Sequence, residues 1–406
     1  MLASFGTYAC MYGFRKPFTA ATYGGTEWGD SLKVWYVTAQ VLGYTVSKFV
    51  GIKVVAEMPR GRRAKALLGL VGAAQIALLA FALTPAPWGL VWLFFNGLPL
   101  GMVFGLVLGF LEGRRMTELF VAGLCTSFIF AGGITKSVGA ALLEAGVTDH
   151  WMPFVSGLIF LLPLIVFVVM LARIPPPDAA DVVARSERTP MTGPERLAMF
   201  RRHGVSLGCI LLAYLLITVV RSVRDDFAPE IWSDLGFGGE PSVYARSEIW
   251  VGLAVMAVNA LVFLIKDNRR GFFCGLWIGI GGLALGVAAV AAWQAGWLQP
   301  FPFMVILGVG LYLPYVAVHT VIFERLIALT REKGNIGYLM YLADSAGYLG
   351  FVGLMFGKGH LHTSENFLLF FLILSLVILL GALLCFGGAL LVYRRRFPRA
   401  CLSDGP

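Results

Sequence analysis

Apolar runs of roughly 20 residues recur along the chain, separated by short polar breaks. As α-helix, a run of about 20 residues crosses a hydrocarbon core of about 30 Å. The pattern predicts twelve spans, at about 1–22, 32–56, 64–84, 87–111, 118–144, 151–173, 205–228, 247–265, 272–295, 301–329, 336–357 and 366–393. The longest polar break, from about Ile174 to His203, opens with Pro175-Pro176-Pro177, which no helix continues. It divides the spans six and six. The predicted fold class is an all-α polytopic membrane protein with two pseudo-symmetric six-helix bundles. The bundles are expected at 1–174 and 204–395, joined by a cytoplasmic linker over 175–203 and followed by a tail over 396–406. Within the linker, Glu195–Arg202 reads as a short amphipathic surface helix.

The chain is 58% hydrophobic and 14% charged, too apolar for an ordinary soluble domain. Its net charge of +9 would suit nucleic acid, but the distribution points elsewhere. Basic residues crowd the loops after even-numbered spans, as in Arg60-Gly61-Arg62-Arg63, Arg114-Arg115 and Arg269-Arg270, and the tail Arg394-Arg395-Arg396. The opposite loops hold only Lys33, Arg246 and Lys358. The positive-inside rule then places both termini in the cytoplasm of a cell (inner) membrane. The basic excess is topology rather than a nucleic-acid footprint. Cys10, Cys125, Cys209, Cys274 and Cys385 fall in spans and Cys401 in the tail, without CxxC or metal-ligand spacing. No metal or cofactor is expected. The first span starts almost at Met1 with no cleavable signal and no basic flank, which is compatible with a start further upstream.

The informative residues are charges inside the apolar runs. A charge at the bilayer centre costs at least ~2.5–3.5 kcal/mol, so it faces a cavity or a partner. The seventh span runs into Arg221-Ser222-Val223-Arg224-Asp225-Asp226 before it leaves the membrane. Arg221 and Arg224, three apart, project from one helix face. Asp225 and Asp226, being adjacent, diverge, and are expected to balance those arginines or cap the outer end. The first span holds Arg15-Lys16-Pro17, where proline predicts a kink or break. Lys48 in the second span either snorkels to the cytoplasmic interface or supplies a third cation to a cavity. Lys136 in the fifth has Asp344 in the eleventh as a possible partner. His319 in the tenth is either hydrogen-bonded structure or a titrating group. Tyr312 lies in the Gly308–Pro314 stretch, read as a flexible helix. Gly97, Gly101, Gly105 and Gly109 form a smooth ridge suited to close helix contact. The basic turns at Glu57–Lys65 and Lys266–Gly271 stand at the same place in each half, a weak internal repeat.

Twelve spans, a central linker and paired basic turns resemble the major facilitator superfamily. Within it, Phe14-Arg15-Lys16-Pro17-Phe18, Gly43…Ser47-Lys48-Phe49, Val220-Arg221 with Asp226-Phe227-Ala228-Pro229, Tyr312-Leu313-Pro314 and Gly347-Tyr348-Leu349-Gly350 look most like motifs of the organophosphate:phosphate antiporters. That resemblance implies phosphate contacts from Arg15, Arg221 and Lys48. The family's fifth-helix histidine is absent: the region reads Phe130-Ala131-Gly132-Gly133, with Lys136 a turn further on. Arg224, Asp225 and Asp344 are additions, and they bring the chain nearer a bacterial branch of the family. Arg15-Lys16-Pro17-Phe18 can be laid on Arg224-Asp225-Asp226-Phe227 as readily as on Arg221.

The function this implies is a secondary transporter of a small organic anion, phosphorylated compounds included, working by alternating access and exchange. The expected substrate contacts are Arg15, Lys16, Lys48, Lys136, Arg221, Arg224 and Tyr312. Asp225, Asp226, His319 and Asp344 are the expected coupling or counter-ion groups. Competing readings are a proton-coupled symporter of a carboxylate or other polar solute and a transporter-like ligand sensor. No Ser/His/Asp set, HExxH or glycine-rich phosphate loop supports an enzyme. The expected partners are the anionic solute and the lipid bilayer, with the protein a monomer.

Overall fold

The computed structural model describes residues 1–23, 31–111, 117–175, 193–330, 336–360 and 367–397, and helix occupies each predicted span. The helices are α1 (Leu2–Tyr12), α2 (Ser31–Glu57), α3 (Arg60–Leu83), α4 (Gly89–Leu111), α5 (Thr117–Glu144), α6 (Met152–Ala172), α7 (Gly193–Asp226), α8 (Ser242–Phe263), α9 (Asn268–Gln294), α10 (Pro300–Thr330), α11 (Ile336–His360) and α12 (Phe367–Arg396). No strand occurs among the described residues. Ten of the helices are long and apolar enough to cross a membrane. This is a multi-pass membrane protein. α1 and α2 fall outside the ten: α1 is short, and α2 carries Lys33, Lys48 and Lys53.

The breaks in the helices repeat between halves. α1 stops at Tyr12 and resumes as a short 3-10 turn at Pro17–Ala20. α7 stops at Asp226 and resumes after Phe227 as Ala228–Trp232, with Pro229 at its start. α4 is interrupted after Leu100, one residue past Pro99. α10 carries Pro314 and then a π-helical turn at Val318–Ile322. Thus the first helix of each half is broken, and the fourth is interrupted in α4 and distorted in α10 close to a proline, irregularities of the kind that build transporter sites near the midplane. The expected separate surface helix at Glu195–Arg202 is instead the first part of α7, which runs unbroken from Gly193. Most of the rest of the predicted linker, 176–192, lies outside the described residues.

Two glycines of the α4 ridge, Gly97 and Gly101, pack on α2, while Gly109 faces Arg63 of α3. A Cβ on Gly97 would stand 2.1 Å from the Gln40 carbonyl oxygen, and one on Gly101 2.6 Å from the Ser47 Cβ. The basic turns are anchored alike. Arg60 donates to the carbonyls of Ile174 (3.2 Å) and Pro175 (2.9 Å), just past α6. Arg269 donates to the Phe397 carbonyl (2.8 Å), just past α12. Across the two halves, α2 packs against α11 and α5 against α8. Replacing Gly97 by alanine should therefore separate α2 from α4. The expected loss is about 1–3 kcal/mol, as for other overpacked helix contacts, read as a lower thermal midpoint in detergent; an unchanged midpoint would contradict the close contact.

Candidate functional site

Interrupting α1 frees backbone carbonyls that the apolar layer cannot leave bare. Asn96 on α4 donates to the Phe14 carbonyl (3.0 Å), and Gln40 on α2 donates to that of Arg15 (2.6 Å). Gln40 also donates to the Asn96 side-chain oxygen (3.1 Å), tying the two amides together. This clamp fixes where the Arg15 side chain leaves the backbone. Its guanidinium lies 3.8 Å from the centre of the Tyr44 ring and 5.7 Å from those of Tyr12 and Tyr348. From the other half, the Arg221 guanidinium lies 4.6 Å from the Tyr315 ring and 5.9 Å from that of Tyr312. Both arginines interact electrostatically with Tyr12 and Tyr348, so the two halves present them to one aromatic enclosure. Beside the two guanidinium groups is a cavity of about 20 Å³, room for one water, bounded by Tyr8, Tyr12, Tyr44, Tyr315 and Tyr348 and by the polar groups of Lys48, His319 and Asp344.

Seven cations of the described residues are buried: Arg15, Lys16, Lys33, Lys48, Lys136, Arg221 and Arg224. Five meet carboxylates. Lys16 binds Asp225 (2.6 Å) and Asp226, and Lys136 binds the other Asp225 oxygen. Lys33 meets Glu230 (2.6 Å), Lys48 meets Asp344 (3.0 Å) and Arg224 meets Glu248 (2.6 Å). Arg15 and Arg221 have no carboxylate partner among the described residues, and the Nε of each is buried without a hydrogen bond. A buried charge left unpaired is expensive.

A model of a family of unknown function (DUF5690) matches residues 17–396. The chain belongs to that family. A comparison with curated proteins returned no match. Among solved structures the DUF5690 chain is similar to a bacterial homologue of the human lysosomal transporter Spinster, in an inward-facing, unoccupied conformation (TM-score 0.62, 13% identity, covering 97% of this chain and 96% of that one). It is also similar to the xylose transporter XylE from E. coli, partially occluded and inward-open (TM-score 0.61, 12% identity, 100% and 98% covered). A third likeness is to the nucleoside transporter NupG (TM-score 0.60, 14% identity, 97% and 98% covered). At such identities these matches establish the major facilitator fold and leave the ligand open. The narrower resemblance to organophosphate:phosphate antiporters is not carried by them.

Several sequence expectations change. Lys136 pairs with Asp225, not Asp344, because α5 approaches the end of α7. Lys48 does not snorkel; it is buried against Asp344 of the other half. Asp225 and Asp226 balance lysines of the first half rather than Arg221 and Arg224. Arg224 turns from Arg221's surroundings to Glu248 on α8 and the Met304 carbonyl (3.1 Å) on α10. Lys33, counted as a loop residue, is buried. His319 joins Asp344 through Tyr214. Glu248, Glu230 and Asn96 were missed; an acid just inside the eighth span was the one signal available. The tyrosines gave none, since aromatic residues in apolar runs look like lipid-facing or core positions.

These pairings set a ranking of stabilities for the DUF5690 chain. Asp225→Asn strands Lys136 and weakens Lys16, and should cost about 3–5 kcal/mol, the usual penalty for breaking a buried pair. Arg15→Gln and Arg221→Gln each remove an uncompensated charge and should leave the thermal midpoint in detergent unchanged or raised. An Arg221→Gln loss as large as that of Asp225→Asn would contradict the assignment.

Proposed function

We propose that this protein is a secondary transporter that moves a small organic anion by alternating access, gripping it between Arg15 and Arg221. The observation that supports this reading is the charge imbalance: seven buried cations and five carboxylates among the described residues, the excess lying on one arginine from each half, each over a tyrosine (Tyr44, Tyr315) that bounds the same small cavity. Two uncompensated guanidinium groups suit a dianion, with phosphate monoesters and dicarboxylates as the candidate classes. A planar guanidinium offers paired donors to either group, and the tyrosine hydroxyls can complete the shell.

A cavity with room for one water must grow to admit such a ligand, so the halves must part. One end is held by Lys16, Lys33 and Lys136 against the acids at the end of α7. At the other end a mainly apolar cleft of about 570 Å³ separates α5, at Ala122, Gly123 and Thr126, from α8 and α10. On the positive-inside rule, the cleft and both termini face the cytoplasm of the cell membrane, and the ion-paired end faces out. Without an anion, the like charges of Arg15 and Arg221 repel each other in the shared aromatic surroundings. Rocking of the empty carrier is therefore disfavoured, and exchange of one anion for another follows.

The test is uptake of labelled phosphate, phosphate monoesters and dicarboxylates into vesicles reconstituted with pure protein and loaded with the same anion. Uptake of one dianion class is expected, with Arg15→Gln and Arg221→Gln each lowering it about ten- to a hundredfold, the value of a charge-assisted contact of ~1.5–3 kcal/mol. Uptake that survives both substitutions, or a preference for uncharged solutes, would overturn the reading.

A further inference from the structure

The cavity beside the arginines is also lined by Lys48, His319 and Asp344, a polar chain that the Arg15–Arg221 grip does not use. Tyr214 on α7 donates its hydroxyl to Oδ1 of Asp344 (2.5 Å), and the Tyr214 oxygen lies 2.6 Å from Nε2 of His319, which itself stands 3.4 Å from that Oδ1. A phenol has one proton, and a carboxylate can only accept. The Tyr214 oxygen must therefore accept from the imidazole, which places the histidine proton on Nε2. The opposite nitrogen, Nδ1, is buried with no partner. His319 sits in the π-helical turn of α10, a distortion frequent at functional sites. Lys48 closes the chain from the other half, 3.0 Å from Oδ2 of Asp344. The surrounding titratable and charged groups are Tyr8 and Tyr12 from α1, Tyr44 and Lys48 from α2, Cys125 from α5, Tyr214 and Arg221 from α7, Tyr315 from α10, and Tyr341 and Tyr348 from α11. Asp344 is the carboxylate among them.

We propose that His319, Tyr214 and Asp344 form a proton-binding relay, and that Lys48 couples it to the anion. The inference rests on the anion-carrier reading for its partner, but the proton site stands on its own geometry. A proton arriving at Nδ1 of His319 releases the Nε2 proton to the Tyr214 oxygen. The Tyr214 hydroxyl proton passes to Oδ1 of Asp344. The balance is one proton gained by Asp344, with the imidazole left in its other tautomer and Tyr214 unchanged. A neutral Asp344 no longer holds Lys48. The freed ammonium is 5.2 Å from the centre of the Tyr44 ring, the ring on which Arg15 lies, so it becomes the third cation of the anion site. Asp344 is thus an internal competitor for Lys48, and protonation hands the lysine to the substrate. By linkage, anion binding draws in the proton to the same degree. Because Lys48 and Asp344 bridge α2 and α11, their release also loosens one seam between the halves.

The proton site is tested without any substrate, by infrared spectroscopy of the purified protein across a pH series. A protonated-carboxyl band is expected to grow as pH falls and to be lost in Asp344→Asn. In Lys48→Gln the band should be present at a pH where the wild type lacks it, a signature that a variant merely damaged in folding does not produce. His319→Gln and Tyr214→Phe should delay its appearance after a pH jump. A folded wild type with no such band, or a band unchanged in Asp344→Asn, overturns the relay. The coupling is tested by equilibrium binding of inorganic phosphate and of succinate. Binding that strengthens at least tenfold on acidification in the wild type, and is pH-independent in Asp344→Asn, supports it; pH-independent binding in the wild type overturns it. If neither probe binds at any pH, the dianion reading falls, and the carboxyl band alone decides the proton site.

Discussion

Burying a charge where neither water nor an opposite charge can reach it is the constraint on which this structure turns. A chain whose helices are mostly lipid-compatible brings seven cations inside. It compensates five of them with its own carboxylates and holds the other two, Arg15 and Arg221, over tyrosine faces. A cation over an aromatic ring gains about 0.5–2 kcal/mol, less than the several kcal/mol that desolvating the ion costs. The aromatic enclosure therefore softens the imbalance without removing it. On the proposed anion-carrier reading, an anion that enters resolves it.

The pairings that do close are arranged by half. At the ion-paired end, the lysines come from α1, α2 and α5, and the acids all come from the end of α7. Deeper in, Lys48 from α2 meets Asp344 from α11. Arg224–Glu248 stays within the second half and holds α7 to α8. Cross-half pairs can be traded for water when the halves part, whereas Arg224–Glu248 can move as one piece. The same division explains why Arg224, only one turn from Arg221, belongs to the scaffold.

Much of the fold was legible in the sequence, because a run of about 20 apolar residues has few other uses. The break at Arg15-Lys16-Pro17 was legible too, through proline, whereas the seventh span was read straight through to 228 and its interruption at Phe227 was not expected. What the sequence could not supply was partnership. Lys136 and Asp344 are each single charges in apolar helices, and pairing them was reasonable. Yet α5 meets α8 and the end of α7, while α2 meets α11, so the charges pair otherwise. Nor does an arginine's spacing reveal whether an acid waits on another helix. Arg221 and Arg224 look alike along the chain and differ only because Glu248 stands on α8.

On the proposed reading, the Arg15–Arg221 pair is completed by a bound dianion. Native mass spectrometry of protein extracted gently from its own membrane tests it most directly, because the ligand need not be known in advance. One small anion per chain is expected on the wild type, absent when Arg15 and Arg221 are both replaced by glutamine and retained in Arg224→Lys. A wild type that carries no anion even after incubation with phosphate monoesters and dicarboxylates, or a double variant that binds equally well, would contradict the account.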